Sequence, residues 1–519
     1  MKRFNVTGLC TPEEDYMVDI SGKIAQIKQL VDRRCYFTIN RARQYGKTTT
    51  LNILKKNLSS EYICISLSFE GIGTTMFADA RSFCRRFLWQ LGIAAKNGSG
   101  EKIQWQNDNV TDFDELSLYL SQICAGKKIV LMIDEVDKAS NHEIFLQFLG
   151  MLRNKFNERK GGSGATFHSV VLAGVHDIKN IKSKMTSEGK YQPIETENKK
   201  YDSPWNIAIN FNVDMSFGSD EISTMLHEYE ADHNTGMDIA VISEEIYACT
   251  NGYPFLVSRI CQCIDEELGG EWTLRVIQQA VNIIIHEQNT LFDDIYKNLE
   301  NNRELYRMIY DILITGKSYT FKFGNPTIDL AAMFGIVQNK DGIAAVSNRI
   351  FETIIYDYFI SKDQTDAETK TPNGVISDVV QNDKFDMELC LRKFAGHYAE
   401  IFTERDAVFL ERHGRLLFLS YLRPFINGRG FYHVESETRN QRRMDIVVDY
   451  GNEQFILELK RWEGEKYNRE AYEQLLGYME AKGAKRAYLL TFDFRREANR
   501  EPKAEWVDFD GKKIFDVIV

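Results

Sequence analysis

Proline is scarce in this chain, eight in 519 residues, and its 34 glycines are scattered, so no low-complexity segment interrupts it and long disordered tails are not expected. No run approaches the ~18 apolar residues that a membrane span requires. The N-terminus, "MKRFNVTGLCTPEEDYMVDI", lacks the apolar core of a signal peptide. The nine cysteines are odd in number and form no C-x-x-C pair or zinc-like cluster, which reads as reduced thiols in a cytoplasmic protein. Positive charge is short as well. A net charge of −11 argues against a protein that coats nucleic acid by bulk electrostatics. From about Arg392 onward the charges nearly balance, with "RNQRR" at Arg439 to Arg443 and "FRREANR" at Phe494 to Arg500, so a local basic groove is compatible with the C-terminal part.

What is present is a long chain, 43% hydrophobic, with length enough for three or four units that each bury a core. The stretch "CYFTINRARQYGKTTTLNILKKNL" reads as a strand over Cys35 to Asn40, a tight polar loop over Arg41 to Gly46, and a helix from Lys47 through Leu51, Leu54 and Leu58. Strand, loop and helix in that order make a phosphate cradle. Backbone N–H groups wrap the phosphates at the helix start, Lys47 reaches the terminal phosphates, and the Thr48 hydroxyl helps hold magnesium. In G-x-x-x-x-G-K-[ST] the first glycine falls on Arg41, so only Gly46-Lys47-Thr48 remains of the pattern.

A second element supports the first. In "KKIVLMIDEVDKAS", Ile129 to Ile133 is the apolar run of a buried parallel strand, and Asp134-Glu135 closes it at the end where α/β sheets bind ligands. Asp134 is placed to hold a magnesium shell and Glu135 to polarise an attacking water. "YICISLSFEG" and "FHSVVLAGVHD" add two strand candidates, with amphipathic helices at Asp114 to Cys124 and His142 to Phe156. The alternation implies a parallel sheet covered on both faces. His176 or Asp177, after the last strand, is either a γ-phosphate sensor or a loop cap. Arg153 or Arg159 is either an arginine finger acting in trans, which needs a homo-oligomer, or a surface helix arginine.

Together, "YMVDIS", "YFTINRARQYGKTTTL", "LSFEG", "VLMIDEVDKAS" and "LAGVHDIK" resemble the AAA-ATPase-like family of bacterial proteins that carry R-x-R-[QR]-[FY]-G-K-[ST] in place of a regular Walker A motif. The resemblance makes Arg41 a family feature. It implies an ATP and Mg²⁺ site built from Arg43, Gln44, Tyr45, Gly46, Lys47, Thr48, Thr49 and Asp134, with nucleotide binding implied more firmly than rapid hydrolysis.

From Asp220 to about Gln288 the pattern is helical, interrupted at Asn251-Gly252-Tyr253-Pro254 by a helix stop and a new start. This turn is similar to the G-x-P turn of the helical lid in STAND and origin-recognition ATPases; an ordinary helix–turn–helix joint has the same signature. Asn302 to Tyr358 reads as a winged-helix-like unit, with the helix "ELYRMIYDILITG", a short helix near Thr327 to Met333 and the β pair "GIVQNKDGIAAVSN". No Arg/Lys row marks its recognition helix, which favours a packing role. Ser361 to Asp383 is polar and turn-rich, and reads as a linker.

The last third turns on "RMDIVVDYGNEQFILELK", two apolar runs around a Gly-Asn turn with Asp445 opening the first and Glu458 and Lys460 ending the second. Glu458 and Lys460, two apart on a strand, share a face, and Asp445 meets them if the strands pair across Tyr450 to Gln454. Two carboxylates that hold a hard divalent cation beside a lysine suit attack on a phosphodiester. The segment from about Phe385 onward resembles the PD-(D/E)XK nuclease superfamily. The resemblance gives Glu411, on an amphipathic helix before the hairpin, the place of the first acidic residue, and gives Gln474 and Tyr478 a Q-x-x-x-Y element one helical turn apart. Glu435, Arg439 and Arg443 either line that cleft or form a solvated strand edge.

The expected fold is therefore α/β. A P-loop NTPase domain of AAA/STAND type spans 1–215, a helical lid 216–300, a winged-helix-like unit 301–360, a linker 361–383 and a PD-(D/E)XK nuclease-like domain 384–519. The expected function is an ATP-binding switch coupled to a Mg²⁺-dependent nuclease acting on DNA. The alternatives are an ATP-dependent signalling or scaffold protein whose last domain only binds nucleic acid, and a nuclease whose P-loop domain is a nucleotide-bound platform.

Overall fold

The structure, a computed structural model, describes residues 2–519 apart from 97–102, 104, 140–141, 176–204, 316, 367–378, 382–383, 402–417, 420, 424, 427–429, 436–443, 452, 463–464, 482–483 and 494–502. The chain divides into two compact units. The first comprises 1–234, 252–262 and 333–335, and the second the remainder. Among the described residues no helix is long and apolar enough to cross a membrane.

In the first unit, β1 (Tyr36–Asn40), β2 (Ile63–Ser68), β3 (Ile129–Asp134) and β4 (Ser169–Gly174) form a parallel sheet in the order β1-β4-β3-β2. All of β3 and β4 is buried, as expected of central strands covered on both faces. The helices Lys47–Leu58, Ala80–Lys96, Phe113–Cys124 and Glu143–Lys160 supply the cover. The Phe113–Cys124 helix starts one residue before the expected Asp114, where the Asp112 carboxylate caps it by accepting from the Glu115 N–H. Phe83, Phe87, Phe145 and Phe148 pack with Leu131 and Ile133 in one core. Trp205 is fully buried and donates from Nε1 to Thr38 Oγ1 at 3.0 Å. Arg159 stacks over the Tyr36 ring at 5.2 Å and donates to the carbonyls of His168 (2.7 Å) and Arg34 (2.9 Å). Its guanidinium is thus engaged in clamping strand ends. His176 and Asp177 lie outside the described residues.

The expected stop and restart at Asn251-Gly252 occurs. Asn251 (φ 46°) and Gly252 (φ 69°) are left-handed, ending the helix Ile239–Thr250, and Pro254 opens the helix Pro254–Gln262. Glycine is required at 252, since a Cβ there would lie 1.9 Å from the Phe217 carbonyl oxygen.

The second unit contains the helix Arg303–Tyr310, the short helix Pro326–Met333 apart from its last residue, and a hairpin of β5 (Val337–Lys340) and β6 (Ile343–Val346). The hairpin turns on Asp341 and Gly342, both at positive φ, which matches the right-handed strand twist. The next helix, Arg349–Asp366, runs past Ser361 into the stretch read as a linker, and Val380–Gln381 (β7) and Lys384–Phe385 (β8) form a small antiparallel pair. A six-stranded sheet follows, built of β9 (Gly430–Glu435), β10 (Met444–Tyr450), β11 (Glu453–Arg461), β12 (Arg486–Phe492), β13 (Lys503–Phe509) and β14 (Lys512–Ile518) in the order β13-β14-β12-β11-β10-β9. β9, β10 and β11 run antiparallel, β11, β12 and β14 parallel.

Helices cover both faces of this sheet. Ala471, Leu475 and Met479 of the helix Glu465–Ala481 pack on Ile456, Ala487, Leu489 and Ile514. On the opposite face, Arg392 and Phe394 of the helix Met387–Ile401 meet the rings of Phe515 and Phe492.

Candidate nucleotide and phosphodiester sites

The loop from Arg41 to Gly46 turns by left-handed residues, Gln44 at φ 55° and Gly46 at φ 73°, and delivers the chain into the helix Lys47–Leu58. Lys47 is buried and folds onto its own loop, donating from Nζ to the carbonyls of Arg41 (3.0 Å) and Ala42 (2.8 Å). Burial holds its ammonium below the usual lysine range, against the opposing pull of Glu135, Asp137 and Asp134. The Thr48 hydroxyl donates to Asp134 Oδ2 at 2.6 Å, so the hydroxyl and carboxylate expected to share a cation are already in contact. Those oxygens fit a hard divalent ion beside a phosphate.

Glu135 follows with a left-handed backbone (φ 53°), and burial first, Asp134 second, push its carboxyl above the usual range. Asp137, which sequence reasoning passed over, joins this acidic strand end; its Oδ2 accepts the Val175 N–H at 2.5 Å. The signal lay in its spacing, two residues after Glu135.

Arg41 does not face the cradle as a phosphate ligand would. Its guanidinium donates to the carbonyls of Asn40 (2.8 Å) and Val213 (2.7 Å) and lies over the Phe211 ring at 5.3 Å. Arg43 offers its carbonyl to the Tyr253 hydroxyl at 2.6 Å, and the Tyr45 ring packs edge-on against Tyr253 at 4.8 Å, so the turn before Pro254 braces the loop. Thr49 is turned away, its Oγ1 accepting the Cys10 N–H at 3.3 Å.

In the second unit, the hairpin pairs as expected from the Gly-Asn turn. Tyr450 is opposite Glu453, Asp445 opposite Glu458, and Glu435 opposite Asp445 on the other side. Directly opposed positions of an antiparallel ladder share a face. Glu458 is completely buried, and Lys460 Nζ lies 3.5 Å from its Oε1. A buried carboxylate at a strand end, in register with a second acidic residue, suits a hard divalent cation. The face carrying Glu458 also carries Ile456 and Leu489, which pack under the helix Glu465–Ala481. Gln474 and Tyr478 belong to that helix; Gln474 Oε1 is buried, and Tyr478 packs on the same cluster. Glu411, Arg439 and Arg443 lie outside the described residues. Sequence reasoning missed Tyr472 and Asp516 as well, which are joined by a hydrogen bond from the tyrosine hydroxyl to Oδ2 at 2.5 Å. Nothing in a lone Tyr and Asp 44 positions apart signals such a pair.

Comparison with known proteins separates the two candidate sites, although the first family model extends across both compact units. The AAA-like domain model matches residues 16–359 and the PD-(D/E)XK nuclease superfamily model residues 431–501. No curated protein matches the chain. Among solved structures, the Walker-type ATPase of Pyrococcus abyssi is 12% identical, covering 68% of this chain and 99% of its own, with a TM-score of 0.45. The ORC2 protein of Aeropyrum pernix is 11% identical (69% and 98% covered, TM-score 0.35), and Cdc6p of Pyrobaculum aerophilum 13% identical (69% and 97%, TM-score 0.31). The chain belongs to the AAA-like domain family and carries, C-terminal to that ATPase domain, a domain of the PD-(D/E)XK nuclease superfamily.

Proposed function

We propose that this protein is an ATP-dependent, STAND-like switch coupled to a nuclease that cleaves phosphodiester bonds in DNA, using Mg²⁺ at both sites. The observation that carries the nuclease half is the cross-strand register of Asp445 with Glu458, with Lys460 3.5 Å from the buried Glu458 carboxylate. In this proposal Asp445 and Glu458 hold the cation, Lys460 places its charge beside the scissile phosphate, and Glu411, Gln474 and Tyr478 orient the strand. A bound cation would supply Lewis-acid polarisation and a water of lowered pKa.

At the other site Lys47 and the backbone of Arg43 to Gly46 bind the ATP phosphates, Thr49 lies at the edge, Thr48 and Asp134 hold the metal, and Glu135 takes a proton from water. The helical stretch 216–300 serves as lid and 301–360 as a winged-helix-like packing unit, with the nuclease domain at 384–519. The mostly buried cysteines favour work in the reducing cytoplasm. A homo-oligomer is compatible with this scheme, though Arg159 is an unsuitable finger because its guanidinium already serves the strand ends.

The test is cleavage of labelled single- and double-stranded DNA and RNA with Mg²⁺ or Mn²⁺, with and without ATP, by wild type, Lys460→Ala and Lys47→Ala. Metal-dependent cutting lost in Lys460→Ala and altered in Lys47→Ala is the expected result. Silence on every substrate, with ATP binding intact, would replace the nuclease with a scaffold that only binds nucleic acid.

A further inference from the structure

We propose that Thr491 is a substrate-binding residue of the phosphodiester site, its hydroxyl donating to a non-bridging phosphate oxygen next to Lys460. This rests on the nuclease reading above and adds a residue to it.

Thr491 sits near the carboxyl end of β12, the strand alongside β11, and its register partner is Lys460. Adjacent strands lie about 4.8 Å apart, and partners in a parallel ladder share a face, so Thr491 and Lys460 are neighbours on one face of the sheet. The parity along β12 agrees. Ala487 and Leu489, at two-residue steps before Thr491, pack under the helix Glu465–Ala481 together with Ile456, which stands two residues before Glu458. Thr491 is thus on the Glu458 face, at the end of the parallel strands where α/β sheets bind ligands.

Its burial makes the hydroxyl informative. Thr491 has 0% exposure, and Oγ1 has no hydrogen-bond partner among the described residues. A buried hydroxyl left so is costly, whereas valine has the same shape and a β-strand preference without that cost. The helix above presents a similar group, Gln474 Oε1, buried and also without a partner among the described residues. Thr491 stands on the face that carries Glu458 and Lys460, and Gln474 belongs to the helix that covers that face. A phosphate oxygen accepts from Thr491, while Gln474 Oε1 accepts a donor such as a sugar hydroxyl, a base amino group or water. Asp516, further along the same face, also buries an oxygen without a partner among the described residues, Oδ1, but its Oδ2 is taken by Tyr472 and a carboxylate has no proton to donate to a phosphate oxygen.

The experiment compares wild type, Thr491→Val and Thr491→Ser in the full-length protein by three readouts: thermal unfolding without ligand, binding of labelled DNA in Ca²⁺, and steady-state cleavage in Mg²⁺. Thr491→Val is expected to melt at or above the wild-type temperature, to bind DNA at least about tenfold more weakly with KM raised more than kcat is lowered, and to be rescued by serine. A lower melting temperature for Thr491→Val would show that the hydroxyl serves the fold, and unchanged DNA binding and KM would show that it serves nothing; either overturns the assignment while leaving a cleaving wild type intact. A wild type that neither binds nor cuts nucleic acid would instead remove the nuclease reading, and this assignment with it.

Discussion

Thr48 donates to Asp134 Oδ2 across 2.6 Å, and Asp134 Oδ1 accepts the N–H of Glu135 at 2.9 Å, so one carboxylate ties the phosphate loop to the end of β3. Lys47 is meanwhile held by the carbonyls of its own loop. In the proposed ATP complex, phosphate oxygens and the cation take the place of both sets of partners. Lys47→Ala is therefore expected to lose the thermal stabilisation that ATP confers, which amounts to about 2.7 kcal/mol at a hundredfold excess over Kd. Asp134→Asn is expected to keep part of the shift with ATP alone and to lose the increment added by Mg²⁺. Differential scanning fluorimetry with ATP, with and without EDTA, separates the two. Equal shifts in all three proteins would remove the site from this loop.

Glu135 has a consequence in pH. Burial and the adjacent Asp134 raise its pKa, so the folded chain holds this proton more tightly than the unfolded chain does. Such a group stabilises the fold below its unfolded pKa, about 4.3 for a glutamate, and that contribution is lost as pH rises through the folded value. Glu135→Gln is expected to flatten the decline in melting temperature above that point, to retain ATP and to lose phosphate release, since an amide accepts no proton from water. ATPase activity of the wild type is expected to rise with pH across the same window. Melts and phosphate release measured over a pH series decide it; a Gln variant with the wild-type slope would place the titration elsewhere.

How far the sequence carries these sites depends on chain locality. Lys47, Thr48 and Asp134 are legible because strand, loop and helix follow one another directly and the apolar run of β3 ends on its carboxylate. Asp445 and Glu458 stand on different strands, yet their pairing is readable because a short turn fixes the register of a hairpin. What stays hidden is set by strands and segments that are not adjacent in the chain. Thr491 comes into register with Lys460 only through the parallel crossover between β11 and β12, Tyr472 finds Asp516 on a strand 44 positions away, and Tyr253 braces Arg43 from more than two hundred residues away. No local pattern encodes those meetings.

Arg41 occupies the place of the usual first glycine, and its interactions give a direct test of whether that departure is a defect. Its guanidinium holds the Asn40 and Val213 carbonyls and covers Phe211. Arg41→Gly, which restores the common motif, is expected to destabilise the chain by about 1–3 kcal/mol for the lost charged hydrogen bonds and to weaken ATP binding. Chemical denaturation paired with nucleotide titration measures both. Tighter ATP binding at unchanged stability would mean that the arginine obstructs the cradle.

Glu458 and Lys460 depend on each other at the second site. The carboxylate is wholly buried and the ammonium 3.5 Å away is mostly so, with 13% side-chain exposure. Lys460→Met removes the cation beside a buried negative charge and is expected to destabilise the protein by about 3 kcal/mol. Glu458→Gln removes the buried charge itself, and is expected to melt no lower than wild type in the absence of metal while losing the stabilisation that Mn²⁺ gives the wild type. The double variant is expected to recover most of the stability lost in Lys460→Met, since the charge requiring compensation is gone. Thermal melts of the four proteins with and without Mn²⁺ complete the cycle without relying on cleavage. Mn²⁺ stabilisation surviving in Glu458→Gln would show that this carboxylate does not hold the ion, and a Lys460→Met loss that persists in the double variant would show that lysine packing rather than its charge supports the strand end.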